Sequence, residues 1–175
     1  MTNPDPLPPN PGYCALRRHR WSAGGFDYFV TINLHRPAAG LSEPALLAAL
    51  DHQRLTLEAE GHWSVRTWVV MPDHLHVLFT LGGKISLADC LRLFKGRLSP
   101  ALRAHRLAWQ DGYHEHRMRP EEDRLPVFLY IFLNPYRAKL ISVSEKWPGY
   151  FCAVEDWGWF GGLTNADVPY PKWLG

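Results

Sequence analysis

The chain has 175 residues, of which 46% are hydrophobic and 21% charged, a composition that predicts one globular domain and excludes a disordered chain. Its three cysteines, Cys14, Cys90 and Cys152, are far apart and form no CxxC pair, which excludes a zinc ribbon or a disulfide scaffold and indicates a reducing, cytoplasmic setting. No apolar stretch approaches the length of a membrane span, and the Pro-rich start does not resemble an export signal.

Charge is informative through its distribution, because 19 basic and 17 acidic residues give a net charge of only +2. One segment, residues 90–110, has no Asp or Glu and contains Arg92, Lys95, Arg97, Arg103 and Arg106. A second basic cluster near the start contains Arg17, Arg18 and Arg20. Such clusters are typical either of solvated faces or, if other features point to DNA or RNA, of a track for phosphates.

The first half of the chain is predicted to contain a strand, a helix and then a hairpin of two strands. Residues 1–12 hold five of the fifteen prolines and are predicted to be a flexible arm. The alternation in Tyr28–Leu34 predicts a half-buried strand. A helix is expected from Pro44 to Gly61, followed by strands at about 63–71 and 74–81 that form a hairpin through the turn Met71-Pro72-Asp73.

The second half adds a basic helix, a short strand and an apolar helix. Ser86 and Asp89 form a capping-box pattern that begins a helix at 87–98, which continues or restarts at Ser99-Pro100. An extended piece is predicted near 113–119, and an apolar helix near 127–133 that ends at Asn134-Pro135.

The resulting order, β-α-β-β-α-β-α, predicts an α+β fold in which a ferredoxin-like antiparallel sheet is backed by helices. Within it we expect residues 13–150 to form the main domain. The Trp-rich residues 151–175 are expected to pack on that domain as loops and short turns.

The sharpest local pattern is His74-Leu75-His76 at the start of a predicted strand. On a strand this spacing places both imidazoles on one face, with Cβ atoms roughly 6–7 Å apart, so both rings can bind one divalent ion. The alternative is a polar outer face that happens to contain histidine. His114-Glu115-His116 is a second such pattern, from which His116 could approach the site on an adjacent strand.

The apolar run around Tyr130 is compatible with a buried strand, but Pro126 and the acidic residues before it favour a helix. On a helix Tyr130 and Asn134 are neighbours on one face, with Cβ atoms roughly 6 Å apart. A tyrosine beside a bis-histidine metal site can attack a phosphodiester. The alternative is that Tyr130 packs in the core with its hydroxyl hydrogen-bonded.

These two patterns together resemble a known family. MPDHLHVLF, residues 71–79, resembles the His-hydrophobe-His (HUH) motif, and YIFLNPYRAKL, residues 130–140, resembles the tyrosine helix of single-tyrosine HUH transposases, in particular the REP-associated tyrosine transposases. Lys95-Gly96-Arg97 and residues 109–116 fit the spacing of that family as well, so the similarity covers about residues 13–150.

The resemblance implies an endonuclease and strand transferase that acts on single-stranded or hairpin DNA. It implies a Mg²⁺ or Mn²⁺ ion held by His74, His76 and Asn134, and Tyr130 as the nucleophile that forms a 5′-phosphotyrosine. Strand joining then needs no ATP, because a DNA 3′-OH reverses the covalent link. The DNA-binding residues implied are Arg17, Arg18, Lys95, Arg97 and Arg103.

The resemblance also favours a monomer over a dimer and leaves two other functions to be distinguished. One is a module that binds hairpin DNA without cutting it, and the other is a metal-dependent hydrolase that uses water as nucleophile. Tyr136 adds a second phenol close to Tyr130 in sequence, but it follows Pro135 and is predicted to lie off the face that holds the ligands.

Overall fold

The computed structural model describes residues 24–35 and 39–160. The helices and strands, in chain order, are β1 (Asp27–Asn33), α1 (Pro44–Ala59), β2 (Trp63–Val70), β3 (His74–Leu81), α2 (Leu87–Ala104), β4 (His114–Arg117), α3 (Leu125–Arg137) and β5 (Tyr150–Cys152), followed by a 3₁₀-helix (Val154–Phe160). The predicted arm at 1–12, the basic residues Arg17 and Arg18, and the last part of the predicted tail, 161–175, lie outside the described residues.

The five strands form one antiparallel sheet in the order β4-β1-β3-β2-β5. Strands β1 to β4 and helices α1 and α2 have the connectivity of a ferredoxin-like fold, so the predicted fold class is confirmed. The sequence did not predict β5, which pairs with β2 at the sheet edge in a region expected to hold only loops and short turns. No helix in the described ranges is long and apolar enough to cross a membrane.

Each face of the sheet is covered by a separate apolar core. The core on one face contains Val30, Ile32, Leu75 and Val77 with the buried residues of α1 and α2. The core on the other face contains the buried residues of α3. Because side chains alternate along a strand, His74 and His76 of β3 lie on the face of α3, opposite Leu75 and Val77. The tyrosine helix and the histidine pair therefore share one side of the sheet.

Two helices contain a proline near their C-terminal end. Helix α2 begins at the predicted cap, where the Ser86 hydroxyl accepts a hydrogen bond from the Asp89 N–H, and continues through Pro100 to Ala104. Helix α3 confirms the predicted helix near 127–133, but its predicted end at Asn134-Pro135 is wrong. Pro135 removes one N–H from the helix, and its ring and the Tyr136 side chain are buried in the second core, which keeps the last turn helical.

The start of α3 is fixed to the sheet by a cluster of buried ion pairs. The Asp27 carboxylate of β1 accepts from Arg124 at 2.8 Å, from Arg66 at 3.0 Å and from the Thr80 hydroxyl at 2.6 Å. Arg66 lies at a bulge in β2 and also binds Asp156 of the 3₁₀-helix. The cluster thus joins the sheet, the residue before α3 and the segment after β5.

Asp27 should contribute strongly to stability. Burial raises the pKa of its carboxyl, but hydrogen bonds from Thr80 and Arg124 outweigh burial and leave the pKa below its usual value. The Asp27→Asn variant removes the carboxylate that Arg124 binds and one of the two that Arg66 binds. Both guanidinium groups are partly buried, so we expect the free energy of unfolding to fall by about 2–4 kcal/mol. Urea denaturation at neutral pH measures this loss.

The same loss should depend on pH. Because the folded pKa of Asp27 is lowered, the stabilisation is present above the ordinary carboxyl pKa of about 4 and disappears as the pH falls below it. The variant and the wild-type protein should therefore converge in acid. Asp51→Asn is the matched control, since Asp51 is half exposed in its pair with Arg54 and should cost less than about 1 kcal/mol. Equal losses in the two variants would contradict this account.

Candidate active site

The β2–β3 hairpin brings two imidazoles together on the α3 face of the sheet. His74 and His76 pair in register with Asn33 and Thr31 of β1, and their Nε2 atoms lie 3.0 Å apart. The His76 side chain is buried, whereas His74 is partly open to solvent. The prediction that the alternating strand would turn both rings to one face is thus confirmed, and both rings present the same nitrogen to one point.

A different partner holds the far side of each ring. The Asp73 carboxylate lies 2.6 Å from His74 Nδ1, and the Thr31 hydroxyl lies 2.8 Å from His76 Nδ1. Ring nitrogens held in this way fix the orientation of an imidazole, and in metal sites they fix its tautomer. Sequence reasoning did not identify Thr31 or Asp73 as site residues. The register of β1 against β3 selects Thr31, which is visible only once the strands are paired.

Burial keeps the His76 ring neutral. Loss of solvent, followed by the nearby His74, lowers the pKa of His76 to about 3, and the Asp73 carboxylate opposes this shift only in part. At neutral pH the ring therefore carries no charge, and one of its nitrogens has a free lone pair. A neutral imidazole is the form that binds a metal ion.

Tyr130 comes to the histidine pair from α3. Its hydroxyl lies 3.3 Å from His76 Nε2, and its ring contacts His76 and the Phe29 ring of β1. The side chain is 41% exposed, so Tyr130 is not a core residue with a buried hydroxyl. The structure therefore brings His74, His76 and Tyr130 together at a surface that a substrate can reach.

Asn134 lies on α3 one helical turn after Tyr130 and is half-buried. The i, i+4 spacing places the two side chains on the same face of the helix, as the sequence predicts. Across the described ranges, no three His, Cys, Asp or Glu side chains are grouped so that they could hold a metal ion. A complete ligand set at this site would therefore need a different donor, and an amide oxygen is one.

The second phenol is turned away from the site. The Tyr136 ring is buried in the second core, and its hydroxyl donates a hydrogen bond to the Glu145 carbonyl at 2.9 Å. Tyr136 belongs to the helix rather than following its end. It lies about 120° from Tyr130 round the helix axis, whereas Asn134 lies only about 40° from Tyr130. Only Tyr130 of the two phenols reaches the histidines.

His116 occupies β4, opposite Phe29 in register, with half of its side chain exposed. Its Nε2 lies 2.7 Å from the Glu122 carboxylate. We expected His116 to approach the site. In register, His114 is nearer, because it pairs with Thr31, which itself pairs with His76. The role of His116 beside the site stays a prediction.

The basic residues predicted to bind DNA differ in whether their side chains already bind other groups of the protein. Lys95 donates to the carbonyls of Gln110 and Gly112 at 2.6 and 3.0 Å, and burial lowers the pKa of its amine. The two hydrogen bonds from Lys95 connect α2 to the loop that follows it. Arg97 forms an ion pair with Glu60 at 2.8 Å. Arg103 is exposed at the end of α2.

Comparison with known proteins supports the resemblance drawn from the motifs. The REP-associated tyrosine transposase of Escherichia coli (strain K12) is 25% identical over 130 residues, which are 74% of this chain and 78% of that protein. A solved structure of a REP-associated tyrosine transposase bound to a REP hairpin superposes with a TM-score of 0.63 and 26% identity, over 75% of this chain and 79% of that one. No family model matches the chain. The similarity to this group of transposases is confirmed in both sequence and fold.

Proposed function

We propose that this chain, a relative of the REP-associated tyrosine transposases, cuts and rejoins single-stranded DNA at hairpin-forming repeats through a covalent 5′-phosphotyrosine on Tyr130. The observation that carries the proposal is the exposed Tyr130 hydroxyl 3.3 Å from a bis-histidine pair. All three side chains come from one chain, which favours a monomer with its site in cis. Hairpin DNA is proposed as the partner because the relative was solved with a REP hairpin bound.

The histidine pair fits a divalent ion. Adjacent ligands of an octahedral ion at about 2.1 Å are about 3 Å apart, and the two Nε2 atoms are 3.0 Å apart. We propose that His74, His76 and the amide oxygen of Asn134 hold Mg²⁺ or Mn²⁺. When bound, the ion polarises the scissile phosphate and neutralises charge that develops on it.

The remaining chemistry belongs to Tyr130. Its phenolic oxygen attacks the phosphorus and forms a new O–P bond, while the bond from phosphorus to the 3′ oxygen breaks. The phenol loses its proton to water, to which the side chain is open, and the leaving 3′ oxygen takes up a proton from water to become a free 3′-OH. The phosphotyrosine link retains the energy of the broken bond, so a 3′-OH can attack it and restore a phosphodiester.

The experiment that tests the function uses end-labelled single-stranded DNA with a hairpin, incubated with the protein and Mn²⁺ or Mg²⁺. A covalent protein–DNA band on a denaturing gel supports the proposal. Cleavage without such a band would instead indicate a hydrolase that uses water. DNA that is retarded on a native gel but never cut, with or without metal, would indicate a binding module.

Thr31 should affect metal affinity through His76. In the Thr31→Val variant the side chain keeps its size but no longer binds His76 Nδ1, so the ring loses the partner that orients it. We expect Mn²⁺ affinity, measured by titration calorimetry, to fall by about 10- to 100-fold. Thr56→Val is the control, because that hydroxyl donates to the His52 carbonyl of its own helix. Unchanged affinity in Thr31→Val would contradict the proposed ligand arrangement.

A further inference from the structure

One face of α3 carries a polar stripe that runs from Tyr130 at the sheet to the exposed Arg137. Tyr130, Asn134 and Arg137 occupy positions i, i+4 and i+7, which fall on one side of a helix. The opposite side of the helix is packed into the second core through Phe128, Ile131, Phe132, Leu133, Pro135 and Tyr136. The stripe therefore presents a phenol, an amide and a guanidinium to the same region of solvent.

Arg137, unlike Arg66, Arg97 and Arg124, carries a charge that is not paired within the described part of the chain. Arg66 and Arg124 bind Asp27, and Arg97 binds Glu60. Arg137 is exposed in the last turn of α3 and forms no ion pair or hydrogen bond through its side chain with any part of the chain that the structure describes. Its guanidinium is available to an external anion.

The position of Arg137 fits a substrate that runs along the helix. Seven residues separate it from Tyr130, or about 10 Å along the axis. Stacked nucleotides in a strand are about 3.4 Å apart, so a strand whose scissile phosphate lies at Tyr130 would bring a phosphate only a few nucleotides away to Arg137. Guanidinium groups bind phosphate oxygens in a bidentate manner.

We infer that Arg137 binds a backbone phosphate of the single strand next to the cleavage point and so sets the direction of that strand along α3. This inference rests on the proposed function for the identity of the strand. It places a DNA-binding residue at the end of α3, whereas the residues expected to bind DNA included those of the basic helix α2.

The test is the salt dependence of DNA binding, measured by fluorescence anisotropy without metal on a hairpin with a labelled single-stranded flank. Losing one phosphate contact to a single strand should lower the slope of log affinity against log salt by about 0.7. We expect this change in Arg137→Gln, together with weaker binding at low salt, and a wild-type slope in Arg137→Lys. Thermal unfolding of each variant checks that it is folded.

Arg117→Gln is the matched control. Arg117 is an exposed arginine as well. It pairs in register with Tyr28, and its guanidinium lies over the Phe26 ring, on the sheet face away from α3. Its slope should match wild type. A wild-type slope in Arg137→Gln would overturn the inference, and so would an equal reduction in Arg117→Gln, which would indicate general loss of charge.

These outcomes are separable from the proposed function. A reduced slope in Arg137→Gln, without any covalent adduct in the wild-type protein, would leave a DNA-binding helix and overturn the phosphotyrosine mechanism. An adduct that forms in Arg137→Gln with an unchanged slope would support the mechanism and overturn the role of Arg137.

Discussion

Replacing Tyr130 with phenylalanine should eliminate cleavage of single-stranded DNA while leaving DNA binding intact. The variant removes only the phenolic oxygen, so the ring still packs against Phe29 and His76. Because no other nucleophile replaces it, we expect the rate of cleavage to fall by at least about 10⁴-fold, the scale seen when a covalent nucleophile is removed. Gel assays of cleavage and anisotropy of DNA binding measure the two effects separately.

Tyr136→Phe is the control for this prediction. It removes the hydroxyl that donates to the Glu145 carbonyl, which costs a hydrogen bond of about 1 kcal/mol in stability but no nucleophile. Its cleavage rate should stay within a few-fold of wild type. If Tyr130→Phe still cut DNA, or if Tyr136→Phe were the inactive variant, the assignment of Tyr130 would be wrong.

The second large effect is expected at His76. His76→Ala removes the buried imidazole of the histidine pair. With it goes one of the two Nε2 atoms that lie 3.0 Å apart. Outer partners of a ligand typically change metal affinity by about 10- to 100-fold, and loss of the ligand itself should exceed that. We expect no measurable Mn²⁺ binding by calorimetry and no cleavage at any practical metal concentration.

The control for His76 is an exposed histidine far from the site. His52→Ala, on the solvent side of α1, should bind Mn²⁺ and cut DNA like wild type. Cleavage that survives in His76→Ala would contradict metal binding at this pair. Thermal unfolding should accompany the assay, since His76 is buried and its truncation also removes packing.

The sequence predicts the core of the site because the site lies on regular elements. His74-Leu75-His76 alternates with apolar residues, and alternation fixes which face of β3 each ring occupies. Met71-Pro72-Asp73 places the turn that begins the strand. The helical interpretation of the run around Tyr130 rests on local signals, Pro126 and the acidic residues before it. In the structure Pro126 lies in the first turn of α3, and the Asp123 carboxylate accepts a hydrogen bond from the Leu125 N–H just before that turn.

Features that depend on partners distant in the chain were not predictable. Strand β5 has three residues, too few for a periodic pattern, and exists because it pairs with β2. Thr31 becomes a site residue only through the register of β1 against β3. Lys95 and Arg97 are typical of a DNA-binding face in sequence, but their side chains bind loop carbonyls and Glu60 in the fold.

Peptide mapping of the adduct shows whether Tyr130 forms a covalent bond with DNA. The protein is incubated with hairpin-containing single-stranded DNA and Mn²⁺, digested with protease and nuclease, and analysed by mass spectrometry. We expect a nucleotide attached through its 5′ phosphate to the peptide that contains Tyr130. Cut DNA with no modified peptide, or a nucleotide on any other residue, would contradict it.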